Sequence, residues 1–104
     1  MSKAYKIQFI PEARLDIKEI IDWYNDQKPG LGKRFFQSLK SKLAYIQTTP
    51  FHLQIDYREI RNALLDRFPY QIHYRILDHN NSILVLAITH TSRNPARWRS
   101  RDEI

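Results

Sequence analysis

The stretch RFPYQIHYRILDHNNSILVLAITH, residues 67–90, decides the fold. Its first half alternates: Tyr70, Ile72, Tyr74 and Ile76 fall on one side and Gln71, His73 and Arg75 on the other, the period-two pattern of a half-buried strand. Its second half, SILVLAITH from Ser82 to His90, is apolar enough to be a central strand. Between them Asp78, His79, Asn80 and Asn81 are residues that tolerate hairpin geometry. The two runs therefore form an antiparallel hairpin. Symmetric closure of the turn sets Leu77 opposite Ser82, Arg75 opposite Leu84, His73 opposite Leu86 and Gln71 opposite Ile88. On that register one face of the sheet mixes Leu84, Leu86 and Ile88 with basic and polar side chains.

Upstream, YKIQFI (5–10) places Tyr5, Ile7 and Phe9 on one side of another half-buried strand. Pro11 suits the first turn of a helix, and Ala13, Ile17, Ile20, Ile21 and Tyr24 then recur at spacings of three and four up to about Gln27. KPG (28–30) interrupts the pattern. Leu31, Phe35, Leu39, Leu43 and Ile46 make a second helical stripe that must end before Pro50. So short a connection implies an antiparallel helix pair. Residues 51–57 show neither period and are expected as a loop, and YREIRNALL (57–65) is expected as a strand. The reading is an α+β fold of order β-α-α-β-β-β: an antiparallel sheet with an antiparallel helix hairpin on its Tyr70/Ile72/Tyr74/Ile76 face. Residues 1–104 are read as one domain with a basic tail from about residue 93.

Lys and Arg number 17 against 11 Asp and Glu, a formal charge of +6 that favours anionic partners, whether nucleic acid or an acidic protein. With no cysteine, disulfides, thiolate metal sites and cysteine nucleophiles are excluded, which fits a reducing cytoplasm. The start of the chain lacks a signal-peptide core, and its longest apolar run, ILVLAI, is far too short to span a bilayer. No metal-ligand spacing, Gly-rich phosphate loop or Ser/His/Asp pattern occurs, so neither metal nor cofactor is expected.

His90, Arg93, Arg97, Trp98, Arg99 and Arg101 follow directly where the last strand runs out. Arginines beside an aromatic suit phosphates and stacked bases; the same composition also describes a frayed basic terminus. His73 and His90, with Arg61, Arg75 and Arg93, could supply the base, acid and cation that phosphodiester cleavage needs. A lone strand histidine is otherwise a structural residue. The apolar part of the face, at Leu84, Leu86 and Ile88, has either to meet a partner or to be covered by the 51–57 loop or the C-terminal tail.

IPEARLDIKEIIDWY, a second helix ending in TTP, then REIR, RFPYQIHYRI and ITHTSRNPARW resemble, from Tyr5 to about Trp98, the RelE/ParE superfamily of bacterial toxins of type II toxin–antitoxin (plasmid stabilisation) systems. The most specific parts are the RFPYQIHYRI strand and the His-x-x-Arg-x-Pro-x-x-Trp ending, His90 to Trp98. The resemblance implies two helices on an antiparallel sheet, a cytoplasmic growth inhibitor, and a cognate antitoxin that wraps over the toxin at Leu84, Leu86 and Ile88. RelE-like members cut messenger RNA on the ribosome, whereas ParE-like members inhibit DNA gyrase. Arg93 matches an arginine of the nuclease pattern. Gln71 stands where that pattern has an arginine, Trp98 falls near its terminal tyrosine, and His90-Thr91 half matches a His-Tyr ending, so the strand resembles the ParE branch more closely. The resemblance thus implies either gyrase inhibition, with Arg75, Arg97, Trp98 and Arg99 on the target, or RNA cleavage by Arg93, His90, His73 and Arg61. A solitary, non-toxic binding module is the third reading.

Overall fold

The structure, a computed structural model, describes residues 4–92 and 96–103. Its elements are β1 (Lys6–Phe9), α1 (Pro11–Gln27), α2 (Leu31–Thr48), β2 (Ile55–Tyr57), β3 (Ile60–Leu64), β4 (Tyr70–Leu77), β5 (Ser82–His90) and a short α3 (Ala96–Arg99) that runs into a 3-10 turn, Ser100–Glu103. The strands form one sheet in the order β1-β5-β4-β3-β2. The hairpin read first is its centre. β4 pairs with both β3 and β5 antiparallel, while β1 pairs with β5 in parallel, so the sheet is mixed rather than antiparallel throughout. The helices carry the chain from β1 to β2 at the opposite edge, and the antiparallel steps β2-β3-β4-β5 then bring β5 alongside β1 in the same direction.

The helices begin and end where local chemistry demands. Pro11 opens α1, where its missing N–H has no intrahelical partner to lose. Gly30 turns the chain at φ 89, a left-handed conformation that glycine adopts without penalty. Gly32 lets α2 close on α1: its N–H donates to Asn25 Oδ1 at 2.9 Å, and a Cβ there would stand 2.6 Å from the Ile21 carbonyl oxygen.

The two helices cover the face carrying Ile72 and Tyr74, as the alternation of β4 required. Phe35, Leu39 and Ile46 of α2 and Ala13 of α1 are fully buried against Ile72, Tyr74, Ile83 and Val85. Each such large aliphatic side chain is worth about 1.5–3 kcal/mol on transfer from water. Phe68 and Tyr70 enter the same core at the start of β4, edge-on to Tyr24 at 5.2 and 6.1 Å. The buried Tyr74 hydroxyl donates to Pro50 O at 2.8 Å, and burial pushes its pKa up to about 12.

The 51–57 segment is not wholly a loop. Ile55–Tyr57 forms an edge strand, joined to β3 by the two-residue turn Arg58-Glu59. The strand expected over 57–65 is therefore two strands and a tight turn. Sequence periodicity could not find it because Arg58 holds a left-handed φ of 54, a conformation usually given to Gly or Asn.

The register of β5 also departs from the symmetric expectation. From Leu77↔Ser82 to Tyr74↔Val85 it is as expected, but His73 then pairs with Ala87 and Ile72 with Ile88, leaving Leu86 as an extra residue in a β-bulge. One inserted residue reverses every side chain beyond it. Ile88 accordingly lies in the core beneath the helices, 3 % exposed, instead of on the opposite face. Among the described residues no helix is long and apolar enough to cross a membrane.

Candidate target-binding face

The face away from the helix hairpin is built in rows by strand pairing. One row runs Gln8, Leu84, Arg75, Ile60, Tyr57 across all five strands; the next carries Leu86 and Ala87, His73 and Asn62. Ile60, Leu86 and Ala87 are buried in a second apolar cluster whose lid is Trp98, 2 % exposed. The tail therefore folds back over the apolar part of this face. Leu86 is not open to a partner, and Leu84 is half-buried against the same cluster.

His73 lies at the centre of the face. Its ring stacks on Trp98 with centroids 3.9 Å apart and planes inclined by 24°. Nδ1 is 2.6 Å from Asn62 Oδ1 and Nε2 is 2.7 Å from Thr89 Oγ1. An amide oxygen only accepts, so Nδ1 carries the proton and Nε2 accepts the Thr89 hydroxyl. Burial lowers the His73 pKa from 6.5 to about 4, with Arg99 and Arg101 acting in the same direction against the nearby Asp56. A neutral ring with both nitrogens engaged ties β3, β4 and β5 together and has no nitrogen left for a substrate.

The other residues expected to act with His73 do not converge on it. Pairing with Tyr70 puts His90 on the helix side of the sheet, where its ring meets Tyr70 edge-on at 5.2 Å and Nδ1 accepts from the N–H and hydroxyl of Ser92 at 3.1 and 2.8 Å. Pairing with Tyr74 likewise directs Arg61 to the helix side, where its guanidinium donates to the carbonyls of Phe51 and Leu53 and lies over the Phe51 ring. Arg61 thereby fastens the connection between α2 and β2. Arg93 lies outside the described residues, as does the side chain of Arg97.

What does gather on the face is a cationic edge. Arg99 lies 4.2 Å from the centroid of the Tyr57 ring and Arg58 5.3 Å from it, while the edge of Trp98 meets Tyr57 at 6.1 Å. Arg75 stands two strands away in the same row. Arg99 is ion-paired with Asp56 at 3.8 Å. Sequence reasoning missed Tyr57 and Arg58, whose signal was the arginine in a two-residue turn. On the other side, a cleft of about 770 Å³ between α1 and the end of β5 is lined by Leu15, Glu19, Trp23, Tyr70 and His90 and closed by Arg101. Among the described residues no cluster of His, Cys, Asp and Glu could hold a metal ion.

Comparison with known proteins agrees with this architecture. Among curated protein sequences none matches. The fold is similar to a chain of the chromosomal ParDE system of Pseudomonas aeruginosa, with TM-score 0.72 and 18% identity over 86% of this chain and 98% of that one. It is similar too to a chain of the intact Escherichia coli RelBE toxin–antitoxin complex (TM-score 0.68, 18% identity, 86% of this chain and 100% of that one). A chain of the RelBE2 complex of Mycobacterium tuberculosis gives TM-score 0.59 at 20% identity, over 84% and 98% of the two chains. At these identities the likeness concerns the fold. The sequence goes further: residues 7–95 match the family described as ParE toxin of the type II toxin-antitoxin system parDE, and the chain therefore belongs to the ParE toxin family.

Proposed function

We propose that this chain is a cytoplasmic growth inhibitor that a cognate antitoxin neutralises, and that it acts by binding DNA gyrase in the manner of ParE rather than by cutting messenger RNA. The observation that carries the reading is the state of His73. It is neutral, buried and hydrogen-bonded at both nitrogens, so the arginine-bearing face has a scaffold where a nuclease would need an exchangeable proton. Trp98 supports the same reading: buried in a stack on His73, it has neither a phenol to ionise nor a free face for a base. The family match adds its weight. Arg75, Arg99 and Arg97 are the residues proposed to meet the target. Arg93, which precedes Asn94-Pro95 in the His90 to Trp98 motif, is proposed to matter most.

Controlled expression in bacteria with two readouts tests the proposal: supercoiling and breakage of DNA, and codon-mapped cleavage of messenger RNA. Growth arrest with lost supercoiling and intact transcripts is expected. Transcript cleavage with normal supercoiling would establish the RelE-like endoribonuclease instead, and no growth effect would leave a non-toxic binding module. Arg93→Ala should relieve the arrest while the melting temperature stays put. A well-folded Arg93→Ala variant that remains fully toxic removes this residue from the site.

A further inference from the structure

We infer that the outer face of the helix hairpin is a self-complementary surface on which a second copy of this chain docks, α1 of each copy lying on α2 of the other. This face lies on the far side of the molecule from the arginine-bearing sheet face, and the inference goes beyond the function proposed above.

The charges of the hairpin are segregated into two stripes. On α1, Leu15, Glu19, Asp22 and Asp26 follow one another at helical spacing opposite the buried Ala13 and Ile20, and all four are exposed. On α2, the same spacing sets Lys33, Gln37, Lys40 and Ala44 opposite the buried Phe35, Leu39 and Ile46, again all exposed. α2 carries no acidic residue at all. One half of the face is therefore acidic and the other basic.

This placement disfavours a lone chain. Asp26 stands in the last turn of α1, which holds no cation, while Lys33 and Arg34 stand in the first turn of α2, which holds no acid. Helix dipoles prefer the reverse at both ends. Glu19, Asp22 and Asp26 also repel one another at spacings of three and four. Internal neutralisation is slight: Asp22 takes an exposed ion pair from Lys18 at 2.8 Å, and Lys40 Nζ lies 5.6 Å from the centroid of the Phe36 ring. Among the described residues no ion pair joins α1 to α2, and Glu19, Asp26 and Lys33 enter none.

A second copy supplies what is missing. A twofold axis parallel to the helices puts the acidic stripe of each copy on the basic stripe of the other, whereas an axis across them sets acid against acid. Gly32 closes on Ile21 and Asn25, so in the antiparallel pair Lys33 is level with the turn of α1 that holds Asp22 and Asp26, and Lys40 with the turn that holds Glu19. Docking then brings Lys33 to Asp22 and Asp26, Lys40 to Glu19 and Ala44 to Leu15, each contact occurring twice. A nucleic acid or an acidic protein attracted by the basic stripe meets repulsion one helix away, and a basic partner meets it on α2. Only a surface with both signs side by side fits, and this chain carries one. The helices are about 26 Å long, so the face is at the small end for specific association, and the dimer is weak, reversible and sensitive to salt.

Sedimentation velocity of the purified full-length chain over a range of concentrations tests this. A monomer–dimer equilibrium that added salt shifts toward monomer is expected. Glu19→Lys and Lys40→Glu each set like charges together at two symmetry-related contacts and should weaken the dimer by at least about tenfold. Both positions are exposed, so the melting temperatures should stay put. Lys6→Glu, the same charge change at an exposed position on β1, should alter association less than about twofold. An equimolar mixture of the Glu19→Lys and Lys40→Glu variants should regain the native dimer constant, because each supplies the charge that the other needs at both contacts. A chain that stays monomeric at every concentration, a dimer that neither substitution weakens, an equal loss in Lys6→Glu, or a mixture no stronger than its components would each overturn the inference.

Discussion

Arg101 grips Asp16 with both guanidinium nitrogens, Nη1 to Oδ2 at 2.8 Å and Nη2 to Oδ1 at 3.3 Å, joining the C-terminal turn to α1 across β5. The pair also completes the sheet. β1 accompanies β5 only to Val85; beyond it the Ile88 N–H donates to Asp16 Oδ2 at 3.1 Å, and the Leu86 carbonyl accepts from Arg101 Nη1 at 3.0 Å. An acid and a base thus stand in for the strand that β1 is too short to provide, at an edge that would otherwise be unsatisfied.

Asp16→Ala should therefore cost more stability than Arg101→Ala. Removing the arginine breaks the ion pair and one carbonyl contact, about 1.5–3 kcal/mol for partly buried, charge-assisted bonds. Removing the aspartate strips the same ion pair and also leaves the Ile88 N–H without its acceptor, a costlier loss than a carbonyl one hydrogen bond short. Urea denaturation of both variants gives the order; equal losses, or a larger one for Arg101→Ala, would show that the carboxylate does not hold the strand edge.

His73 sets the acid stability. Its pKa is lowered in the folded protein from 6.5 to about 4, so the unfolded chain binds the extra proton first. The His73 contribution to stability is full above pH 6.5, falls as the pH drops through the window from 6.5 to 4, and loses no more below it. At about 1.4 kcal/mol per pKa unit the loss between pH 7.5 and pH 5 is about 2 kcal/mol. Denaturation midpoints at the two pH values should separate accordingly for the native chain. In a His73→Leu variant, less stable at pH 7.5, the separation should largely vanish; a separation that persists would assign the acid sensitivity to other groups.

Leu86→Asp should unfold the protein rather than merely prevent partner binding. Its side chain is 2 % exposed beneath Trp98, packed with Ile60 and Ala87, where a charged carboxylate is costly to bury. Ile88→Ala should cost about 2–5 kcal/mol, as a cavity in the helix-side core does. Circular dichroism of purified variants decides both, and a native-like Leu86→Asp spectrum would mean that the α3 lid opens freely.

Gly32→Ala tests the approach of the two helices. The added methyl would fall 2.6 Å from Ile21 O, against backbone that cannot swing aside, so α2 must shift from α1. A loss of about 1–3 kcal/mol, read as a lower melting temperature, is expected for such overpacking. An unchanged melting temperature would show that the helix pair has slack at this crossing.

The sequence by itself determined the helix hairpin, the helix-facing side of β4 and the order of the main elements. Each follows from local periodicity: Leu31, Phe35, Leu39, Leu43 and Ile46 can share one apolar stripe only as a helix, and Tyr70, Ile72 and Tyr74 can share one face only as a strand. Tertiary structure alone decided the rest. The bulge at Leu86 moved Ile88 to the opposite face because a one-residue insertion in pairing leaves no trace in an apolar run such as ILVLAI. Pairing parity separated His73 from His90 and Arg61, residues that composition had grouped. Trp98, read as an exposed tail aromatic, became the lid of the second cluster because Arg101 reached Asp16, a contact between residues 85 positions apart. Periodicity carries information over a few residues, and whether a basic tail frays or folds back depends on a partner a chain length away.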